Sequence, residues 1–179
     1  MLQKYFIAVL PPEPLLTQLF HIKQSVADEY QTKGALRSPA HITLHMPFIW
    51  DEIKEEKLIS ILSQFQFDDE FVIHLKNFNC FEPRVVFVEV KHNDVLNNLQ
   101  RELVKHVKIN LQLFNQSDDR RGFHPHITVA FRDLKKKQFY KVWEEYQYKK
   151  LHEDFICSSF SLLKHVNDKW EVYKEFNFN

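Results

Sequence analysis

The sequence predicts an α+β fold: a bilobed, duplicated arrangement in which two antiparallel sheets face a central cleft and the helices pack outside. Three observations predict it. Helical apolar spacing alternates with short β-favouring runs, and each half of the chain closes on hairpin-like strands rather than on crossover units. One short pattern occurs twice, as Pro39-Ala40-His41-Ile42-Thr43-Leu44 and as Pro125-His126-Ile127-Thr128-Val129. Around both copies the elements follow in the same order, namely strand, helix, glycine-containing loop, His-x-Thr strand, helix, strand, strand. This is duplication of pattern rather than of detailed sequence. The motif histidines lie 85 residues apart, and moving Phe71–Asn79 by that step lands on Ile156–Lys164, again a predicted strand. Residues 1–179 therefore read as one domain of two pseudo-symmetric lobes, joined near 80–92, whose C-terminal strands can exchange between lobes.

Each element has its own reason. The apolar run of residues 4–10 reads as a buried strand, stopped by Pro11 and Pro12. Pro14 then opens a helix over about 13–30, with Leu15, Leu16, Leu19, Phe20, Ile22 and Val26 as its stripe. The loop 31–40 carries Lys33, Gly34, Arg37 and Pro39, and the first His-x-Thr strand covers about 40–46 before Pro47. A helix over about 52–65 has Ile53, Leu58, Ile61, Leu62 and Phe65 on one side. Strands follow at 70–80 and 85–90, with a Glu82-Pro83 turn between them. The next helix, about 94–113, carries Leu96, Leu99, Leu103, Val107 and Leu111. The loop 114–125 contains Arg120, Arg121 and Gly122 and leads into the second His-x-Thr strand at about 125–131. A helix at 135–148 and strands at about 155–165 and 169–178, turning at Asn167-Asp168, complete the chain. Only two glycines occur in the whole sequence, and each sits in the loop entering a motif strand, which points to a sharp turn there.

Composition narrows the function. A hydrophobic content of 44% with 17 Phe supports a packed core and argues against disorder. A formal net charge of +0 argues against gripping long nucleic acid by bulk electrostatics, while leaving room for a small anion held by a few local charges. Two cysteines imply no disulfide framework. The first apolar run is too short for a secretory leader and no run is long enough to span a bilayer, so a cytoplasmic, monomeric protein without membrane contact is the expectation.

The repeated triplet carries the chemistry. Ten histidines and four threonines scattered at random would give about 0.2 such triplets. In a strand, alternate side chains share a face, so His41 with Thr43, and His126 with Thr128, each point an imidazole and a hydroxyl the same way. Facing histidines on opposite walls are a general base and a general acid. Hydroxyls between them can hold the non-bridging oxygens of a phosphodiester, and in-line displacement needs an attacker and a leaving group on opposite sides. Arg132, an even step beyond Thr128, is the candidate phosphate contact, and Phe48 and Phe123 are candidate base-stacking rings. His45, two residues beyond Thr43, shares its face if the strand stays regular. A metal-dependent hydrolase is the rival enzyme, although His41 and His45 would stand about 13 Å apart in an extended strand, too far to share one ion. The plain alternative is a pair of buried strands whose His and Thr satisfy local bonds.

These paired motifs, His41-Ile42-Thr43-Leu44 and His126-Ile127-Thr128-Val129, resemble those of the 2H phosphoesterase superfamily, the LigT-like 2′-5′ RNA ligases and cyclic phosphodiesterases. The resemblance extends over the whole chain, including the Phe6-Ile7-Ala8-Val9 strand. It implies a catalytic set of His41, Thr43, His126 and Thr128 in the cleft, with neither metal nor cofactor. It implies opening of 2′,3′-cyclic phosphates or cleavage of 2′-5′ linkages in RNA ends or small nucleotides, with reversible 2′-5′ ligation in some members. It assigns His126 as base and His41 as acid, roles that pseudo-symmetry makes exchangeable. The alternative outside catalysis is a module of the same fold that binds RNA ends or nucleotides without turnover.

Overall fold

A computed structural model describes residues 1–68, 70–115 and 122–178. The elements among them run β1 (Leu2–Val9), α1 (Leu15–Tyr30), β2 (Ile42–Asp51), α2 (Glu55–Ser63), β3 (Phe71–Phe81), β4 (Val85–Val90), α3 (Asp94–Leu111), β5 (His126–Ala130), α4 (Lys136–Tyr146), β6 (His152–Cys157), β7 (Ser159–Val166) and β8 (Lys169–Asn177). Short 3₁₀ turns at Gly34–Arg37 and Glu52–Lys54 precede β2 and α2.

All strand pairs are antiparallel, in the order β6-β3-β4-β5-β2-β1-β7-β8. The two sheets expected from the sequence are thus the four-stranded halves of one eight-stranded sheet, meeting at a single register pair, Ile42 with Ile127. One half comes from the middle of the chain, with β3 pairing β4 and β6, and the other joins its two ends, with β7 pairing β1 and β8.

Burial follows the apolar spacing. All five stripe positions of α3 are buried, and Asn93 caps the helix by accepting a bond from Leu96 N. The main core joins residues of all four helices to both half-sheets, so the helices cover one sheet face. Tyr5, Ile7 and Val9 of β1 point into this core, while Phe6 and Ala8 pack on the opposite face with Leu163. Two expected stripe positions depart from this: Phe20 is 42% exposed and Ile53, ahead of α2, is 85% exposed. The inward position on α1 falls instead to Lys23, four residues after Leu19, whose ammonium donates to Ser38 O at 2.6 Å.

The other differences concern strands. The single strand expected at 155–165 breaks at Ser158, where the chain passes from β6, on one edge of the sheet, to β7 beside β1. No glycine or proline marks that break. Pro47 does not end β2. The β1–β2 register pairs Ala8 with Thr43, Ile7 with His45 and Tyr5 with Phe48, so β2 carries an extra residue at Leu44 and another near Met46 and Pro47. A bulge accepts a proline because the ladder there needs no N–H. Asn167 and Asp168 both have positive φ, 47° and 64°, the backbone of a primed hairpin turn.

Candidate active site

The seam between the half-sheets positions the four motif side chains. Ile42 and Ile127 face the core and pair with each other, and each directly follows a motif histidine. Carried one residue either way, that antiparallel register sets His41 across from Thr128 and Thr43 across from His126. The four residues therefore form a square on the face opposite the helices. All four line one cleft of about 260 Å³.

Both imidazoles are held the same way. Nδ1 of His41 bonds Pro39 O at 2.8 Å, and Nδ1 of His126 bonds His124 O at 2.7 Å. A carbonyl only accepts, so Nδ1 carries the proton in each ring and Nε2 is the basic nitrogen of the neutral form. Each ring also rests on a phenylalanine from the neighbouring strand. Phe6 lies 4.8 Å from His41 at 48°, and Phe87 lies 4.9 Å from His126 at 51°. Reasoning from the motifs alone missed these two rings. The signal was present in the parallel between Phe6-Ile7-Ala8-Val9 and Phe87-Val88-Glu89-Val90, one strand before each motif.

The bank of His41 holds two buried basic groups. Burial pushes the His41 pKa down to about 4, and the charges of Lys23 and His126 add to that shift against the Pro39 bond. Burial also lowers Lys23, to about 8. On the other bank, His126 and the exposed His124 meet Phe81 and Phe87 edge-on or tilted.

Arg132 lines the cleft, though not by strand alternation: β5 ends at Ala130, and Arg132 enters through a left-handed turn with φ 66°. Arg37 lines it from the 3₁₀ turn. The next residue after Arg132, Asp133, fastens that turn to the opposite bank. Its carboxylate accepts from Thr32 Oγ1 at 2.7 Å, Lys33 N at 2.7 Å and Gly34 N at 3.0 Å. Burial would raise the Asp133 pKa, but these bonds outweigh it and hold the group below the usual carboxylate range. Gly34 is required by this close approach rather than by its φ, since a Cβ would stand 2.6 Å from Phe131 O and 2.8 Å from Asp133 Oδ1.

Other sequence candidates lie elsewhere. The extra residue at Leu44 turns His45 away from Thr43, and its ring is 1% exposed with Nδ1 on Met46 O. Phe48 stacks on Tyr5 at 6.0 Å and meets His45 edge-on; it does not line the cleft but lines a recess beside it. Phe123 packs against the main core and does not line the cleft. Arg120 and Arg121 fall outside the described residues. Trp170, which the motifs did not flag, closes one end of the cleft edge-on to Phe6 at 4.7 Å. Among the described residues no three of His, Cys, Asp and Glu gather as a metal cage would, and no helix is long and apolar enough to cross a membrane.

The fold and its cleft have counterparts among known proteins. The model of the 2′-5′ RNA ligase superfamily matches residues 11–169. A search of curated proteins finds no match. Among solved structures, Escherichia coli LigT complexed with 3′-AMP is 15% identical, with a TM-score of 0.67 over 100% of this chain and 99% of that one. LigT complexed with NADP+ is 17% identical, with a TM-score of 0.67 over 99% of each chain. TT0787 of Thermus thermophilus is 17% identical, with a TM-score of 0.60 over 98% of this chain and 97% of that one. At these identities the structural likeness establishes the fold.

Proposed function

Because the chain belongs to the 2′-5′ RNA ligase superfamily, a family of phosphoesterases and RNA ligases, we propose that it opens nucleoside 2′,3′-cyclic phosphates or cleaves 2′-5′ phosphodiesters without a metal ion. The observation that carries this reading is the square of His41, Thr43, His126 and Thr128 in one cleft. That LigT has been solved with 3′-AMP and with ATP supports a nucleotide as ligand.

The two rings divide the roles. His41, held neutral by burial, takes a proton on Nε2 from the attacking water. The new P–O bond forms as the bond to one ribose oxygen breaks, and His126 protonates that oxygen. Water thus supplies an OH to phosphorus and, through the two rings, a proton to the sugar. This reverses the assignment that the resemblance carries, and the burial of His41 is what favours it. Thr43 and Thr128 donate to the non-bridging oxygens, and Arg37 and Arg132 offset their charge. With a ribose 5′-hydroxyl in place of water as the attacker on the cyclic phosphate, the same steps join two ends: its oxygen forms the new P–O bond, one ribose oxygen leaves, and the rings pass the hydroxyl proton to it.

The test is incubation with a nucleoside 2′,3′-cyclic phosphate in the presence of a chelator. A phosphomonoester product, lost in His41→Ala and in His126→Ala, is expected. Saturable binding without product would instead make the protein a nucleotide-binding module. Activity abolished by the chelator and restored by one divalent ion would make it a metal-dependent hydrolase.

A further inference from the structure

The cleft does not end at Trp170. A second recess of about 270 Å³ adjoins it and shares Pro47, Arg132 and Trp170 with it. Its floor is the continuation of the same sheet face. Lys4 pairs with Ile49 across β1 and β2, and His165 pairs with Trp170 across β7 and β8. Lys4 lies two residues from Phe6, and His165 two residues from Leu163, and both Phe6 and Leu163 belong to the cluster on the face opposite the main core. Pro47, at the bulge in β2, lines both recesses, so the two lie side by side and form a trough from the histidine pair to Lys4.

Charge in this trough is one-sided. Lys4, Arg132 and His165 line the second recess, and no acidic side chain lines either recess among the described residues. The contrast with the neighbouring residue is informative: Lys164, on the other sheet face, is engaged by Glu55 at 2.6 Å and Glu52 at 3.0 Å. Lys4, Arg132 and His165 form no ion pair among the described residues. In a chain of zero formal net charge, two unneutralised cations, Lys4 and Arg132, with an imidazole and an aromatic ring beside them make a local anion track with a stacking surface. Trp170 is that surface, held edge-on by Phe6 at 4.7 Å and by His165 at 4.9 Å.

We propose that the second recess is a subsite for the next nucleotide of a single-stranded chain, with its base against Trp170 and the linking phosphate among Lys4, Arg132 and His165. The proposal rests on the phosphodiesterase reading of the cleft and deepens it by assigning Lys4, His165 and Trp170 to the nucleotide next to the reacting phosphate.

Equilibrium binding tests it independently of turnover. The probes are a nucleoside 3′-monophosphate and a dinucleotide bearing the same 3′-terminal monophosphate, measured by calorimetry at several salt concentrations. The dinucleotide is expected to bind about 10-fold more tightly, and its log K to fall more steeply with log salt by about 0.7 for the added phosphate contact. In the double variant Lys4→Ala with His165→Ala, the ratio of the two affinities is expected to collapse toward one. Equal affinities in the wild type, a ratio unmoved by the double variant, or failure of both probes to bind would each overturn the subsite. Failure of the catalytic reading shows separately, as absence of product from the cyclic phosphate while the affinity ratio persists.

Discussion

Burial sets the protonation state of His41, and two measurements follow from it. Its pKa moves from 6.5 to about 4 in the folded protein. The unfolded chain therefore takes up the proton first, so stability falls as pH drops from 6.5 toward 4 and levels off below that window. Denaturation midpoints across this range should show the slope, and His41→Gln should flatten it. If His41 is the base, the acidic limb of kcat/KM, which reports the free enzyme, lies near pH 4 rather than in the ordinary histidine range. His41→Gln and His126→Gln should each lower kcat/KM by about 10²- to 10⁴-fold while leaving the thermal midpoint near that of the wild type. Both histidines and both threonines were legible as a repeated triplet. Lys23 was not, because a lysine at helical spacing reads as solvated surface unless the carbonyl that receives it, here Ser38 O, is known.

Between elements, two small contacts decide much. The turn before β2 and the turn after β5 are locked by Asp133 against Thr32, Lys33 and Gly34. Gly34→Ala forces a Cβ into Phe131 O and should cost about 1–3 kcal/mol while lowering kcat/KM. Gly122→Ala, in open space at φ 74°, should cost about 1 kcal/mol for its backbone alone. Urea denaturation of the two variants separates these cases. On the far face, Glu55 ties α2 to the sheet by accepting bonds from Tyr5, Lys164 and Tyr173. Burial would raise its pKa, but those partners outweigh it and hold it low. Glu55→Gln should destabilise by about 1–3 kcal/mol, with turnover per folded molecule unchanged. The regular elements were easier to read than these joints. The stripe of α3 is buried at every expected position because its leucines and Val107 all fall on one face. The bulge at Leu44 left no local mark, since it is set by the partner strand and by Gln100, which donates to Leu44 O at 3.2 Å. That unseen residue is why His45 faces the core.

At the scale of the molecule, the paired motifs announced two facing banks, but not the single seam that joins them. Neither spacing nor composition records which strands meet across more than a hundred residues, and the break at Ser158 became visible only through the partners it separates. The order of the sheet makes the last hairpin part of the first half-sheet: β7 covers one edge of β1, and Phe160, Leu162 and Phe176 enter the main core. A chain cut before Ser159 should fail to give a cooperative thermal transition, checked by circular dichroism, rather than retain a folded remainder. The pairing of Tyr5 with Lys164 also has a temporal meaning. On a translating ribosome, a strand made early must wait, with one ladder of amides unsatisfied, for a partner made much later. The imidazole on that bank cannot meet its counterpart in working geometry until β7 has docked, so a translation product cut short before it has no partial activity to offer.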